Sequence, residues 1–339
     1  MFTSEEDLQD RLTTPSAALV ADLAAGEGDL VVLGAGGKMG PTLCRLARRG
    51  LDAAGRSRDR VYAVSRWSDP RAARDLAGHG VEIVSLDLLG GDLTTLPDAA
   101  DVVFMMGVKF GTSTAPYLAW IGNAVLPARV AERYPDARIA VFSTGNVYPL
   151  TPVTGGGCTE RDPVGPVGEY AMSCLGRERI FEHAAAARGT RVAILRLNYA
   201  IDLRYGVLAD IGRTVRAGEP VDVTTGHVNV VWQGYANEVA LRSLRHAAAE
   251  PFVLNLTGPE TAPVRRVAAA FAERFGREPV LAGEEAGTAL LSDATLCHRL
   301  FGYPEVPLGT LIDWQAAWLE AGLPTSGKPT RFAVRDGRF

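Results

Sequence analysis

The stretch "VVLGAGGKMG" (31–40) sets Gly34, Gly37 and Gly40 in a G-x-x-G-x-x-G spacing, with Gly36 two residues after the first. Glycines permit a tight turn and close approach of backbone to ligand, and a helix starting at the last glycine offers its free N–H groups to an anion. With an apolar strand before it and a helical pattern after it, the loop predicts a dinucleotide pyrophosphate site. Lys38 and Met39 lie within the loop, Lys38 as a second cation that could add to Arg66 in the choice between NAD and NADP. An acid at the end of the second strand would bond the ribose 2′-hydroxyl of NAD. Here that end is Ser65-Arg66, with no acid until Asp69. Arg66 is read as a partner for a 2′-phosphate, so NADP is expected in preference to NAD; the plainer alternative is a surface charge. A second stretch, "GEYAMSC" (168–174), puts the phenol of Tyr170 one helical turn before the thiol of Cys174.

These residues need elements to hold them. Apolar runs recur at 29–36, 60–66, 81–88, 101–107, 138–145 and 191–198, with amphipathic stretches at 40–49, 70–78, 116–133 and 170–188 between them. Buried strands alternating with helices predict an α/β fold, a Rossmann-type doubly wound parallel sheet, whose ligands bind at the carboxyl ends of the strands. Before it, residues 1–28 read as a helical extension with Leu8, Leu12, Leu19 and Leu23 as apolar positions and a break at Pro15. The nucleotide-binding domain is taken as 29–200. Residues 201–339, with loops rich in Gly, Pro and Thr, the short strand "FVLNLTG" and further helices, are taken as a smaller lobe that mainly binds substrate.

The chain has 339 residues, 47% of them hydrophobic, enough for a large core. Its net charge of −4 has mixed signs, which excludes an electrostatic footprint for nucleic acid or anionic membrane. Four scattered cysteines without a C-x-x-C pair, an acidic N-terminus and no apolar run of membrane-spanning length predict a soluble, cytoplasmic protein; no metal site is expected.

The ordered set of motifs resembles the extended short-chain dehydrogenase/reductases, the NAD-dependent epimerase/dehydratase family. "LGAGGKMG" stands at that family's glycine loop, and "LDLL" (86–89) at its strand-3 end, which makes Asp87, with Leu88 beside it, the adenine contact. "FMMGVKFG" (104–111) occupies the strand-4 end that borders the cofactor, here Met106 and Gly107. Asn123 in "WIGNAVLPA" matches the helix-4 Asn that supports the active site. "VFSTGNVYP" (141–149) resembles "FxSSxxVYG", which puts Thr144 at the hydroxyl that orients substrate, with Ser143 next to it. "EYAMSCLGRERIFE" resembles "Y-x-x-S-K-x-x-x-E" and matches at Tyr170, Ser173 and Glu178. Asn198 in "LRLNYA" falls on the strand-6 element that passes the nicotinamide. The resemblance implies a homodimer and a sugar, nucleotide sugar or similar hydroxylated metabolite as substrate, with Tyr170 as acid/base.

One departure bears on the chemistry. The family's Lys, four residues after its Tyr, binds the nicotinamide ribose and lowers the Tyr pKa; Cys174 stands there instead. A tyrosine with an ordinary pKa of about 10 is only ~0.1% ionised at pH 7, a poor base though a competent proton donor. The chain has three lysines, Lys38, Lys109 and Lys328, and abundant arginine, so drift would ordinarily have left Arg at 174. Lys109, in the loop after strand 4, is read as the better substitute cation, with a further substrate-binding role open; Arg177, seven residues after Tyr170, is the other candidate. Cys174 has three readings: a small buried filler, a tuned thiol, or a redox control point.

The substrate side departs further, with "NYAIDLRYG" (198–206) and "VNVVWQGYANEVA" (228–240) at the family's corresponding segments. Arg204, His227 and Trp232 are named as substrate contacts, with lobe packing an equal alternative for Trp232. The leading reading is an NAD(P)-dependent oxidoreductase or epimerase. The rival is a non-catalytic dinucleotide-binding sensor that has lost its catalytic lysine.

Overall fold

A computed structural model describes residues 2–112 and 114–338. Seven strands form the central sheet: β1 (Leu30–Leu33), β2 (Val61–Ser65), β3 (Glu82–Ser85), β4 (Asp101–Phe104), β5 (Arg138–Thr144), β6 (Arg191–Leu197) and β7 (Phe252–Leu256). They are parallel throughout and run in the order β7-β6-β5-β4-β1-β2-β3. The order reverses between β1 and β4, and the crevice at that switch point is where ligands bind in open α/β sheets. Strands β1 and β4 are buried along their whole length, as expected where helices cover both faces.

Alternation along β1 divides the core in two. Leu30 and Val32 face a layer containing Leu43, Leu46 and Ala236, from helices Gly40–Ala53 (α1) and Gln233–Ser243 (α2). Val31 and Leu33 face the opposite layer, with Val130 and Phe181 from helices Leu126–Arg133 (α3) and Gly168–Arg188 (α4). Strand β7, read in sequence as part of the C-terminal lobe, instead extends the central sheet beside β6. An apolar pentapeptide alone does not say which sheet it joins; its pairing with Ala193–Leu197 does.

The expected N-terminal helix is two, Glu5–Thr13 and Ala17–Ala24, parted at Thr14–Ser16. Ser4 and Ser16 cap them, accepting hydrogen bonds from Asp7 N and Leu19 N. Leu19 joins the core of the sheet, whereas Leu8 and Leu12 join the separate core of the C-terminal lobe with Phe271 and Trp318. Beyond that lobe's last helix, Leu308–Glu320, residues 323–338 run back across the molecule. Thr330 donates from N and Oγ1 to Asp210 at 2.7 Å each, and Arg335 donates to Thr288 O and Oγ1 at 2.6 and 2.7 Å. No helix among the described residues is long and apolar enough to cross a membrane.

Candidate active site

The strand ends at the switch point frame two joined cavities. The first, about 350 Å³, is lined by Gly34, Gly37, Arg66, Asp87, Leu88, Met106 and Gly107 among others. The second, about 330 Å³, shares Gly34, Gly37, Met106 and Gly107 and adds Lys38, Met39, Lys109, Ser143, Thr144, Tyr170 and Asn198. Both sit over the turn between β1 and α1. That turn requires its glycines: Gly34 has φ +90°, and a Cβ there would lie 2.8 Å from Met106 N. A Cβ at Gly40 would run into the Ala35 backbone. Helix α1 starts at Gly40-Pro41 without a side-chain cap, so its first-turn N–H groups remain open to an anion. The cleft therefore has the parts for a dinucleotide: backbone donors at its middle and an elongated space on either side.

On the adenosine side, Asp87 Oδ1 accepts from Leu89 N at 3.1 Å, which fixes the turn after β3. Arg66 is exposed at the end of β2. Asp69 also lines this cavity, and its Oδ1 accepts from Arg71 N at 2.9 Å as the cap of helix Pro70–Gly78.

On the other side, Ser143 and Thr144 end β5, and Tyr170 lies in the first turn of α4. Tyr170 packs against Cys174 and lines the second cavity with Thr144, and both residues act on its hydroxyl. Thr144 Oγ1 accepts from Asn146 N and Nδ2 at 3.2 and 3.0 Å, which orients it. Burial, and then the neighbouring Cys174, push the Tyr170 hydroxyl above the ordinary tyrosine range, and Arg177 pulls it down. Burial likewise raises the Cys174 thiol; the residue is fully buried beside Val147, Tyr148 and Cys158. These surroundings favour the small-filler reading over a tuned thiol.

Asn123 sits in a π turn (Ile121–Val125) between helices Pro116–Trp120 and α3. Its Nδ2 donates to Val108 O and Ser173 Oγ at 3.0 and 2.9 Å, and its Oδ1 accepts from Val108 N at 2.9 Å and Arg177 Nη2 at 2.7 Å. It ties the post-β4 loop to α4 from behind the cavity rather than lining it. Ser143 Oγ donates to Glu178, which is itself paired with Arg196 at 2.7 Å. Asn198 Nδ2 donates to Ser292, while its buried Oδ1 has no partner among the described residues.

Two lysines reach the second cavity. Lys38 Nζ donates to Ala200 O at 2.8 Å and lies 5.2 Å from the Tyr205 ring, joining the glycine loop to the segment after β6. The residue is exposed as a whole, yet burial of its ammonium lowers it to about 8. Lys109 Nζ donates to Thr330 O at 3.4 Å and lies 5.9 Å from the Tyr170 ring centre; burial lowers it too to about 8.

Three sequence candidates are not brought to these cavities. Arg204 turns to Asp202 at 2.7 Å and to Glu5 at 3.7 Å. His227 pairs as a strand residue with Pro263. Trp232 is buried against Trp314 at 5.6 Å, the packing alternative. Each is a polar or aromatic residue whose partner lies in the C-terminal lobe, which periodicity could not reveal. Conversely, Asn146 and Tyr199 line the second cavity unannounced. Tyr199 holds φ +39°, a strained backbone for a bulky residue that no sequence pattern marks.

Comparison with known proteins settles the lineage. A family model described as the NAD dependent epimerase/dehydratase family matches residues 30–201. The chain belongs to this family. It is accordingly an NAD-dependent enzyme of epimerase/dehydratase type, and the family's matched region ends at Ile201, just past β6. Among solved structures it is similar to MoeE5 in complex with UDP-glucuronic acid and NAD (22% identity, TM-score 0.70, 87% of this chain and 100% of that one). It is also similar to a UDP-glucuronic acid 4-epimerase from Bacillus cereus with NAD (16%, TM-score 0.72, 86% and 99%) and to a UDP-glucose 4-epimerase from Thermotoga maritima (15%, TM-score 0.68, 87% and 99%). At these identities the likeness is one of fold. No curated protein sequence matches the chain.

Proposed function

We propose that this family member is an oxidoreductase or epimerase acting on a sugar, nucleotide sugar or similar polyhydroxylated small molecule, with Tyr170 as its acid/base. The observation that carries the reading is that Tyr170 and Thr144 line the wall of one cavity together, beside the glycine loop. When bound, the nicotinamide supplies hydride acceptance or donation. The chain's part is to bind and orient: Thr144 holds the reacting oxygen beside the phenol, and Asn123 keeps the post-β4 loop in place behind it. Neutral Tyr170 donates its proton to a carbonyl oxygen being reduced; its raised pKa keeps that proton in place at neutral pH and makes it a weaker acid.

Residues 330–337 bear on the substrate. Phe332, Val334 and Arg335 close against Asn146, Tyr148 and Tyr199, leaving a space of about 30 Å³, room for roughly one water. This supports a compact sugar; a nucleotide sugar, the ligand named for MoeE5 and for the Thermotoga epimerase, requires the tail to move. For the cofactor, Arg66 at the adenosine cavity supports acceptance of NADP beside NAD, Asp69 being engaged as a helix cap. We read the protein as cytoplasmic, on its four free cysteines, and as a homodimer. Exposed Tyr117, Leu118, Trp120, Ile121 and Val125, with Met172 of α4, form the apolar face that supports a dimer.

The test is spectroscopic. Reduced-cofactor absorbance is followed while the protein is challenged with sugars, sugar acids and nucleotide sugars. Turnover on one class, lost in Tyr170→Phe, supports the reading. Tight cofactor binding with no turnover on any, and no difference in Tyr170→Phe, leaves a dinucleotide sensor.

A further inference from the structure

Helix α4 carries a cation that the mechanism so far does not use. Arg177 is buried, 4% exposed, and lines the second cavity with Tyr170. Its Nη1 donates to Phe142 O at 2.6 Å and its Nη2 to Asn123 Oδ1 at 2.7 Å, both neutral acceptors. Nε has no partner among the described residues, and no carboxylate there forms an ion pair with this guanidinium. The adjacent Glu178 is committed to Arg196 and Ser143. Burying a charge without a counter-charge costs several kcal/mol, so the site holds a cation at a standing penalty. Nη2 lies 3.3 Å from where a Cβ of Gly107 would be, directly behind the strand-4 end that borders the cleft.

We propose that Arg177 is the working cation of this active site: its guanidinium, rather than Lys109, supplies the charge that position 174 lacks and stabilises the ionised form of Tyr170. The charge comes from three residues further along the helix than Cys174, and the long side chain folds back under the cofactor-bordering loop. This accounts for Asn123, whose carbonyl holds the guanidinium. Among the described residues, the groups facing Tyr170 include Cys174 and Arg177 from its own helix, Thr144 from β5 and Lys109 from the post-β4 loop. Lys109 reaches Thr330 O of the tail at 3.4 Å and stands beside Arg331, whereas Arg177 is fixed in the cavity wall by its bonds to Phe142 O and Asn123 Oδ1. Both cations act on Cys174, and Arg177 acts on Tyr170 as well.

The inference rests on Tyr170 as the proton-transfer group, but its test reads acidity and not turnover, so the two fail separately. A fluorinated tyrosine, whose hydroxyl titrates well below that of tyrosine, is placed at position 170 and followed by ¹⁹F NMR against pH, with and without NAD. Arg177→Gln is expected to raise the midpoint by about 1–3 pH units, the effect of one close cation. Arg177→Lys should keep it near the parent value, and Lys109→Gln should move it less than Arg177→Gln. Gly107→Ala presses a methyl on Nη2 without removing the charge, and is expected to raise the midpoint by a smaller step. It serves alone if Arg177→Gln does not fold. A larger shift in Lys109→Gln than in Arg177→Gln overturns the proposal. So does an unmoved midpoint in folded Arg177→Gln, or in Gly107→Ala where that variant stands alone.

Discussion

The two halves of the cleft are built differently. The half that holds Arg66 and Asp87, proposed for the adenosine, comes from the ends of four consecutive strands, β1 to β4, and its lining residues fall in 34–37, 65–72, 86–89 and 105–107. The nicotinamide half draws on the same glycine loop but also on β5, α4 and the segment after β6, residues 142–146, 170–177 and 197–205. Its outer side is closed by the tail, through Thr330 on Lys109 and Phe332 near Tyr199. The first half is a local construction, which we propose binds; the second is an assembly of distant segments, which we propose also reacts. Damage to the first should therefore appear in cofactor affinity, and damage to the second in turnover with affinity largely kept.

The largest expected effect is on the reacting side. Tyr170→Phe should lower turnover by about 10²–10⁴-fold, the usual worth of a positioned acid/base, while the NAD dissociation constant stays within a few-fold. A parallel loss of binding in a titration of the same variant would break the division. On the binding side, Gly34→Ala forces a side chain into a left-handed turn against Met106. It should cost about 1–2 kcal/mol from the backbone alone, with NAD affinity reduced by roughly tenfold. Thermal melting with and without NAD measures both.

Smaller effects sharpen the comparison. Arg66→Ala should weaken NADP by about tenfold, near 1.4 kcal/mol, and leave NAD unchanged; equal loss for both returns Arg66 to a surface charge. Truncation after Ser326 removes the Thr330–Asp210 and Arg335–Thr288 bonds. It should alter substrate KM and admit larger substrates with cofactor binding intact. The smallest effect is on pH. Burial lowers Lys38 to about 8, so its positive charge is present below that pH and lost as pH rises through it. Phosphate-side affinity should fall through about pH 8 in the parent and stay flat in Lys38→Gln. For stability the sign is opposite: between about 8 and its ordinary value the folded chain holds fewer protons on Lys38, so this group's contribution rises with pH.

The same division governs what could be read beforehand. Gly34, Gly37, Arg66 and Asp87 were legible because strand, turn and chemistry lie within a few residues of one another. So were the six expected strands and the break near Pro15. Arg204, His227 and Trp232 were chosen for residue type alone, and their partners Asp202, Pro263 and Trp314 took them elsewhere. Asn146, Tyr199 and the tail carry no periodicity or motif, so only their neighbours reveal them. Lys109 and Arg177 were both visible as cations, but their ranking depended on where each side chain ends.

By itself the sequence determined the fold class, the glycine cradle and the presence of Tyr170 with Thr144 on a strand and helix that must meet, because period and turn chemistry are local properties of a chain. Tertiary structure alone decided that Arg177 is buried against Asn123, that β7 closes the sheet, and that the tail packs beside the second cavity. Each of these is a contact between segments far apart in the chain, and such contacts are chosen by packing on the sheet rather than by any short run of residues.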